Sequence, residues 1–471
     1  MNEYQPALAS SAAAPLSSLS WGAEFRSLFA LAWPLIIAQL ARSALFTTDV
    51  IVLGWLGAQF VAAGALANAL FVCCLLFGIG VVGAVAPMAA QAIGARDFRT
   101  VRRTVRSGMW LAFALFVLLF PVAWNIGSIY RWMGQDSELI VLAEIFIHAA
   151  IWSLLPQFMF VALASFLNAH GATRAVLIIN LAGVAVNLLA NYVLVFGHWG
   201  FPALGIMGSG LATSIVNFAM LVIAIAYVQM HRRFRRYHIW HNFLEIDWHR
   251  LWELLKIGAP IGLMLLAEVA LFTTASLLQG WLGEAELAAH SVALTIASLA
   301  FMVPLGLSQA ATVRVGIALG EKNKDGIRKA GWAAFVLTIG FMSFTAILFF
   351  AFPHQIVGLF LNSGIAENQA PLALAASFLI VAGLFQLFDG AQVTMGAALR
   401  GMSDTNMPLI IALIGYWAVG FPVAWYLGMH TPLRGTGVWF GLMAGLGAVA
   451  LVLTIRWAMR EWLGLTDRVP T

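Results

Sequence analysis

LFALAWPLIIAQLARSALFTTDVIVLGWLG, residues Leu28 to Gly57, returns 226 positions later as LLKIGAPIGLMLLAEVALFTTASLLQGWLG, Leu254 to Gly283. Pro34 pairs with Pro260, ALFTT at Ala44 to Thr48 with ALFTT at Ala270 to Thr274, and GWLG at Gly54 to Gly57 with GWLG at Gly280 to Gly283. The register holds without a gap through Gly80 and Gly306 to Gly94 and Gly320. A weaker echo joins LNAHGAT, Leu167 to Thr173, to LRGMSDT, Leu399 to Thr405. Each copy opens on an apolar stretch long enough to cross a hydrocarbon core of roughly 30 Å as a helix.

Such stretches recur along the whole chain, near 28–53, 62–91, 104–124, 139–164, 173–196, 204–230, 252–278, 286–316, 329–350, 370–397, 404–428 and 436–459. Of the 471 residues, 62% are hydrophobic and 10% charged, with a mean hydropathy of +0.91, which excludes a soluble domain. The fold expected is therefore an all-α polytopic membrane protein with twelve transmembrane helices in two six-helix lobes. An even number of spans gives both copies the same orientation, so the pseudo-two-fold axis relating them runs along the membrane normal.

The net charge of +5 is distributed as membrane orientation requires, which argues against nucleic acid as a partner. Arg96, Arg99, Arg102, Arg103 and Arg106 follow the second span, and Arg232, Arg233, Arg235, Arg236 and Arg250 follow the sixth. Arg314, Lys322, Lys324, Arg328 and Lys329 follow the eighth, whereas the opposite loops offer little beyond Arg131 and Arg434. Both termini are expected in the cytoplasm of a cell's inner membrane. The organisation read from this is a cytoplasmic tail 1–25, a lobe 26–230, a basic linker 231–250, a lobe 251–460 and a tail 461–471. Residues 1–25 lack the basic start and short apolar core of a cleaved signal. Adjacent Cys73 and Cys74, inside an apolar stretch, suit neither a disulfide nor a metal cage.

A charge near the bilayer centre costs roughly 2.5–3.5 kcal/mol on insertion scales, so the few present mark pathways or specific pairs. They are Arg42, Asp49, Glu268 and Asp389. Asn180, Asn187 and Asn191 form one polar stripe on the fifth helix, and Ser209, Thr213 and Asn217 another on the sixth; together they suit a hydrogen-bonded pocket around Asp49. Asp49 then either binds H+ or Na+ or holds three helices together. In the second half, Gln386, Asp389 and Gln392 are read as lining one face of the tenth helix, opposite Glu268, an arrangement suited to a cation or a shared proton. His290 reads as a packing residue. No phosphate-binding GKS/T loop, metalloprotease pair or nucleophile elbow is present, and His148, His170 and His198 show no catalytic spacing, so neither ATP-driven transport within the chain nor enzyme activity is expected.

These residues resemble the multidrug and toxic compound extrusion (MATE) transporters, NorM-type branch. The resemblance rests on the proline to acid spacing Pro34 to Asp49, VNLLANYVLVFG ending at Gly197, and LGIMGSGLATS from Leu204. It continues in AEVALF around Glu268, ELAAHSVAL, VRVGIALGE from Val313, and FDGAQVTMGAALRG from Phe388. It implies a V-shaped cleft between two lobes, and export of organic cations in exchange for H+ or Na+. By position it implies coupling residues Asp49, Asn187, Asn191, Thr213, Glu268 and Asp389, with Na+ a candidate at any of the three acids. One departure is Phe385, where the NorM pattern has a tyrosine four residues before the acid. Arg42, Gln386, Gln392 and Phe385 are candidates for the substrate cleft. The expected partners are small organic cations and membrane lipids, with no cofactor beyond the coupling ion and a monomeric chain. The competing expectation is a flippase for a lipid-linked precursor, which needs a cationic cleft that Arg42 and Lys256 alone can supply.

Overall fold

The computed structural model describes residues 20–361 and 369–467, which are almost wholly helical with no strand. Among the described residues, twelve helices are long and apolar enough to span a membrane: α1 (Trp21–Leu56), α2 (Ala58–Gly94), α3 (Phe98–Trp124), α4 (Ser137–Ala169), α5 (Thr173–Phe196), α6 (Ile206–Met230), α7 (Trp248–Leu282), α8 (Glu284–Gly320), α9 (Lys324–Ala351), α10 (Gln369–Gly401), α11 (Asn406–Met429) and α12 (Arg434–Ala458). Several outrun the apolar windows of the sequence. At 1.5 Å per residue the 36 residues of α1 extend about 54 Å, well past a hydrocarbon core.

The extra turns carry polar caps, which belong outside the core. Ser20 Oγ accepts from the Ala23 amide at 3.3 Å and starts α1 inside the stretch read as tail. Residues 21–25 are helical, and Glu24 is 1% exposed. Positions 1–19 and 468–471 of the expected tails lie outside the described residues. In the second tail, Leu465 is buried and Asp467 pairs with Lys324 at 2.8 Å, so this segment folds back on α9.

The duplication is visible in the backbone. Gly57 (φ 131°) and Gly283 (φ 146°) end α1 and α7 in a conformation L side chains avoid, which accounts for both GWLG motifs. The turns after α2 and α8 match at the same offset. Arg96 and Lys322 take φ of 57° and 56°, then Asp97 and Asn323 cap the next helix by accepting the Thr100 and Gly326 amides at 3.0 and 2.9 Å. The weaker echo holds as well: Gly171 (φ 75°) and Ser403 (φ 58°) occupy equivalent turn positions.

Each half has its own apolar core, one reaching from Leu53 to Leu254 and the other from Ala267 to Leu465. A thinner seam joins them, in which Leu28, Ala32 and Leu35 of α1 meet Leu307, Ala310 and Ala311 of α8. There α1 crosses α8 and α2 crosses α7, with small residues allowing backbone contact. A Cβ on Gly80 would lie 2.5 Å from Gly262 Cα, and one on Gly306 would lie 2.7 Å from Ile36 N. A Cβ on Gly94 would meet the Ile317 carbonyl at 2.1 Å, and one on Gly320 the Gln91 carbonyl at 2.0 Å. Each contact is the partner of another at the repeat offset.

These contacts sit toward the face that carries the basic connections. So do the inter-lobe bonds: Arg314 forks onto Glu24 through Nε and Nη2, and Gln91 Nε2 donates to the Gly401 carbonyl at 2.7 Å and Ser403 Oγ at 2.9 Å. Arg314, counted from sequence among loop cations, is thus a buried seam residue, because α8 runs on to Gly320. Toward the other face the lobes part. The stripe of α1 that buries Leu28, Ala32 and Leu35 goes on to expose Phe46 (54%) and Val50 (39%), and Thr273 and Leu299 are exposed on α7 and α8. The molecule is a V sealed at its basic face.

The 231–247 segment is tied to the first lobe rather than free. Arg103 Nε donates to Asp247 Oδ2 at 2.6 Å, and Trp110 Nε1 to the Phe243 carbonyl at 2.8 Å. His170, just past α4, has Nδ1 2.9 Å from the Phe166 carbonyl, so Nδ1 carries the proton and Nε2 accepts from the Tyr237 hydroxyl at 2.6 Å. Burial pushes His170 down to about 4, opposed by the Phe166 carbonyl and reinforced by nearby Arg233. The neutral ring therefore favours docking above the ordinary histidine value of about 6.5, and the contribution is lost as pH falls toward about 4. Hydrogen exchange of 231–247, corrected for intrinsic rate, is expected to speed up across that window, and His170→Asn to flatten the response.

Candidate functional site

In the first lobe, α1, α5 and α6 bring Asp49 together with the residues the sequence singled out. Asn187 and Asn191 Nδ2 donate to Asp49 Oδ1 at 3.0 and 2.9 Å. Thr213 Oγ1 lies 3.3 Å from Oδ2 but also 3.1 Å from the Ser209 carbonyl, and its single proton serves one of them at a time. The carboxylate thus receives neutral donors on one oxygen and a shared hydroxyl on the other. Buried Asn187 Oδ1 and Asn191 Oδ1 have no hydrogen-bond partner, which leaves acceptor oxygens beside the acid, a chemistry suited to a small hard cation or a proton. Asn180 and Asn217 belong to the same stripes but bond to Val176 and Thr213 carbonyls on their own helices.

Arg42, two turns before Asp49 on α1, is half-buried and takes part in none of the hydrogen bonds or ion pairs among the described residues. It remains on the side of α1 that continues into the parted region.

In the second lobe, α7, α10, α11 and α12 surround a second acidic pocket. Gln392 Nε2 donates to Glu268 Oε1 at 3.4 Å, and the Tyr416 hydroxyl donates to Gln392 Oε1 at 2.6 Å. Asp389 is buried, its Oδ1 has no partner, and it lies within electrostatic reach of Glu268. Arg400 is within the same reach of Glu268.

The four cleft candidates separate. Gln386 is buried with its amide 3.4 Å from the Met342 carbonyl of α9. Phe385 packs edge-on against Phe272 and Trp439, and Gln392 is buried within the lobe. These three belong to the lobe interior, while Arg42 alone is half-exposed. The reason for Gln386 is geometric: three residues advance a helix by about 300°, so two such steps leave Gln386 and Gln392 about 120° apart.

His290 is fully buried, bonded to Ser276 Oγ at 3.1 Å and tilted against Trp439. His148 and His198 bond separately to the Trp124 and Tyr192 carbonyls, each at 3.0 Å. No group of three or more His, Cys, Asp or Glu forms a metal cluster among the described residues. Sequence reasoning missed Tyr416 and Arg400. Arg400 had a signal, since it follows Asp389 by eleven residues, three turns along the same face. Tyr416 had none, because it sits in a π-helical turn, Ile414–Gly420, that breaks the periodicity of α11.

The sequence model of the MatE family matches residues 34–193 and 260–426, a stretch in each lobe that includes Asp49, Asn187, Asn191, Glu268 and Asp389 but not Thr213. The chain is 42% identical to the "Probable multidrug resistance protein NorM" of Mesorhizobium japonicum, over 94% of this chain and 95% of that protein. It is 41% identical to the protein of the same name from Brucella suis, over 93% of each. Its fold superposes on a mutant of the Vibrio cholerae MATE transporter VcmN with a TM-score of 0.86 at 18% identity, over 95% of this chain and 99% of that one. With matches that run through both halves and nearly end to end, this chain belongs to the MatE family of membrane transporters.

Proposed function

We propose that the chain is a secondary-active multidrug exporter that moves amphipathic organic cations outward in exchange for H+ or Na+ moving inward. The observation that carries the reading is a pair of acidic pockets set among membrane-spanning helices, one per lobe, with Asp49 and Glu268 half-buried and Asp389 buried, in a V sealed at one face. A carboxylate held within membrane helices without a bonded base is an expensive arrangement for structure alone, since interhelical hydrogen bonds in membranes average only about 0.6 kcal/mol. The names of the relatives support drug export, and the acids support a cationic cargo and coupling ion.

In this reading the basic face is cytoplasmic in the inner membrane, with both termini on that side, and the cleft of this structure faces outward. The lobes span 26–230 and 251–460, bridged by the basic linker, in a monomer surrounded by lipid. Ion entering from outside and drug leaving compete through the same carboxylates. Loading the ion lowers the affinity for the organic cation where the cleft is open, and the empty carboxylates favour drug where it faces the cytoplasm.

The test is ethidium efflux from proteoliposomes under Na+ and pH gradients imposed separately. Efflux accelerated by one of them is expected; efflux indifferent to both sinks the reading. Half-exposed Arg42 favours a second reading, a flippase for an anionic lipid-linked precursor. Movement of such a lipid without ethidium transport selects it.

A further inference from the structure

We infer that Tyr416 is a positioning residue for the second-lobe acids, acting on Glu268 through the Gln392 amide; this rests on the ion-coupling reading above. Three observations carry it. Tyr416 is wholly buried, and its hydroxyl lies 2.6 Å from Gln392 Oε1, whose Nε2 faces Glu268. An ionised carboxylate can only accept, so Gln392 must offer it the NH2 end. The amide oxygen then faces the phenol, which must donate. Only one polarity satisfies the row Tyr416, Gln392, Glu268: the carboxylate sets it, and the phenol holds it by giving the buried amide oxygen its donor.

The second observation is how Tyr416 is delivered. The π-helical turn Ile414–Gly420 widens α11 within a membrane span, and such turns concentrate at functional sites. The third is that this turn is clamped. A Cβ on Gly415 would lie 2.3 Å from Val449 Cγ2, one on Gly420 3.0 Å from Gly445 Cα, and one on Gly441 2.2 Å from Ala424 Cα. Glycines at these positions let α11 and α12 touch backbone to backbone and deny Tyr416 room to swing away. The groups facing it are Glu268 from α7 and Asp389 from α10, both within electrostatic reach, with Arg400 acting on Glu268 from the end of α10.

Without the hydroxyl, Gln392 Oε1 is a buried acceptor with no partner, and the amide loses the bond that holds its Nε2 on Glu268. Tyr416→Phe deletes one oxygen and keeps the ring, so packing is preserved. In proteoliposomes, the Na+ concentration or the pH giving half-maximal ethidium efflux is expected to shift by about tenfold in ion concentration, the value of one typical buried hydrogen bond. The maximal rate is expected to change little. In a Gln392→Ala background the same substitution is expected to add no further shift, a split that a merely structural role does not produce. An unchanged half-maximal point in Tyr416→Phe overturns the proposal, as does an equal shift in both backgrounds. Glu268→Gln run alongside separates the two levels. If it removes ion dependence while Tyr416→Phe does nothing, the positioning role alone fails. If it leaves ion dependence intact, the ion-coupling reading fails and takes the positioning role with it.

Discussion

Asp389→Asn and Glu268→Gln are each expected to remove most ion-driven ethidium efflux while the protein still reaches the membrane and folds. Both swaps keep size and shape and delete a charge. Asp389 Oδ1 has no hydrogen-bond partner to lose, and Glu268 receives only the long 3.4 Å contact from Gln392. Burial of an ionised carboxylate is itself costly, so its removal is expected to leave thermal stability unchanged or higher. Coupling is different. An ion shifts a conformational equilibrium only by its differential affinity for the two states, and here the acids supply that difference. A loss of ion stimulation of about 5- to 150-fold, the ordinary range of coupling free energies, is the expected size. The measurement is efflux under an imposed gradient, normalised to protein in the bilayer. Undiminished efflux in both variants would falsify the assignment of the second-lobe acids to coupling. Asp49→Asn is the first-lobe counterpart, and there the Asn187 and Asn191 amides would have to turn an oxygen toward the new side chain or lose a bond.

The second large effect concerns the seal at the basic face. Glu24 and Arg314 are buried, belong to different lobes, and meet in a two-pronged contact, so opening that face must break it. Removing one partner of a buried pair costs about 3–5 kcal/mol because the other charge is stranded. Glu24→Gln or Arg314→Gln is therefore expected to raise the population open at the basic face by about two to four orders of magnitude. Cysteines placed at Ala32 and Ala311, which pack together in the seam, report it through reagent labelling from that side. Labelling should rise in either single variant and fall back in the swapped pair Glu24→Arg with Arg314→Glu. Labelling that stays at the wild-type level in the single variants counts against the pair as a lock.

Much of this was legible in the sequence because a membrane makes polar residues conspicuous. Asn187 and Asn191, four apart, could serve one acid from one helix face, and Asp49 was the acid in range. The repeat was legible because the turns it encodes need particular residues, glycine at 57 and 283 above all. Other features were hidden for physical reasons. Glu24 read as tail because helix α1 continues beyond its apolar window, and its partner lies 290 residues away. Gln386 and Gln392 bracket Asp389 at a spacing of three that falls short of a full turn, and the lag that accumulates between them takes the Gln386 amide to Met342. Tyr416 escaped because a π-helical turn resets the phase on which helical reading depends.

The seam between the lobes behaves like the interface of a symmetric dimer folded into one chain, in which each patch meets its own duplicate. Its two halves have since drifted apart. Where α2 meets α7, Gly80 rests on Gly262, backbone upon backbone; where α1 meets α8, Gly306 rests on Ile36, and a branched side chain stands between. The bare glycine crossing is suited to be a fulcrum, able to roll without unpacking side chains. The isoleucine crossing lies on the helices that carry Glu24 and Arg314, and it is the side that can lift. Rocking about such an off-centre pivot would swing the lobes open asymmetrically, like a door rather than a pair of jaws.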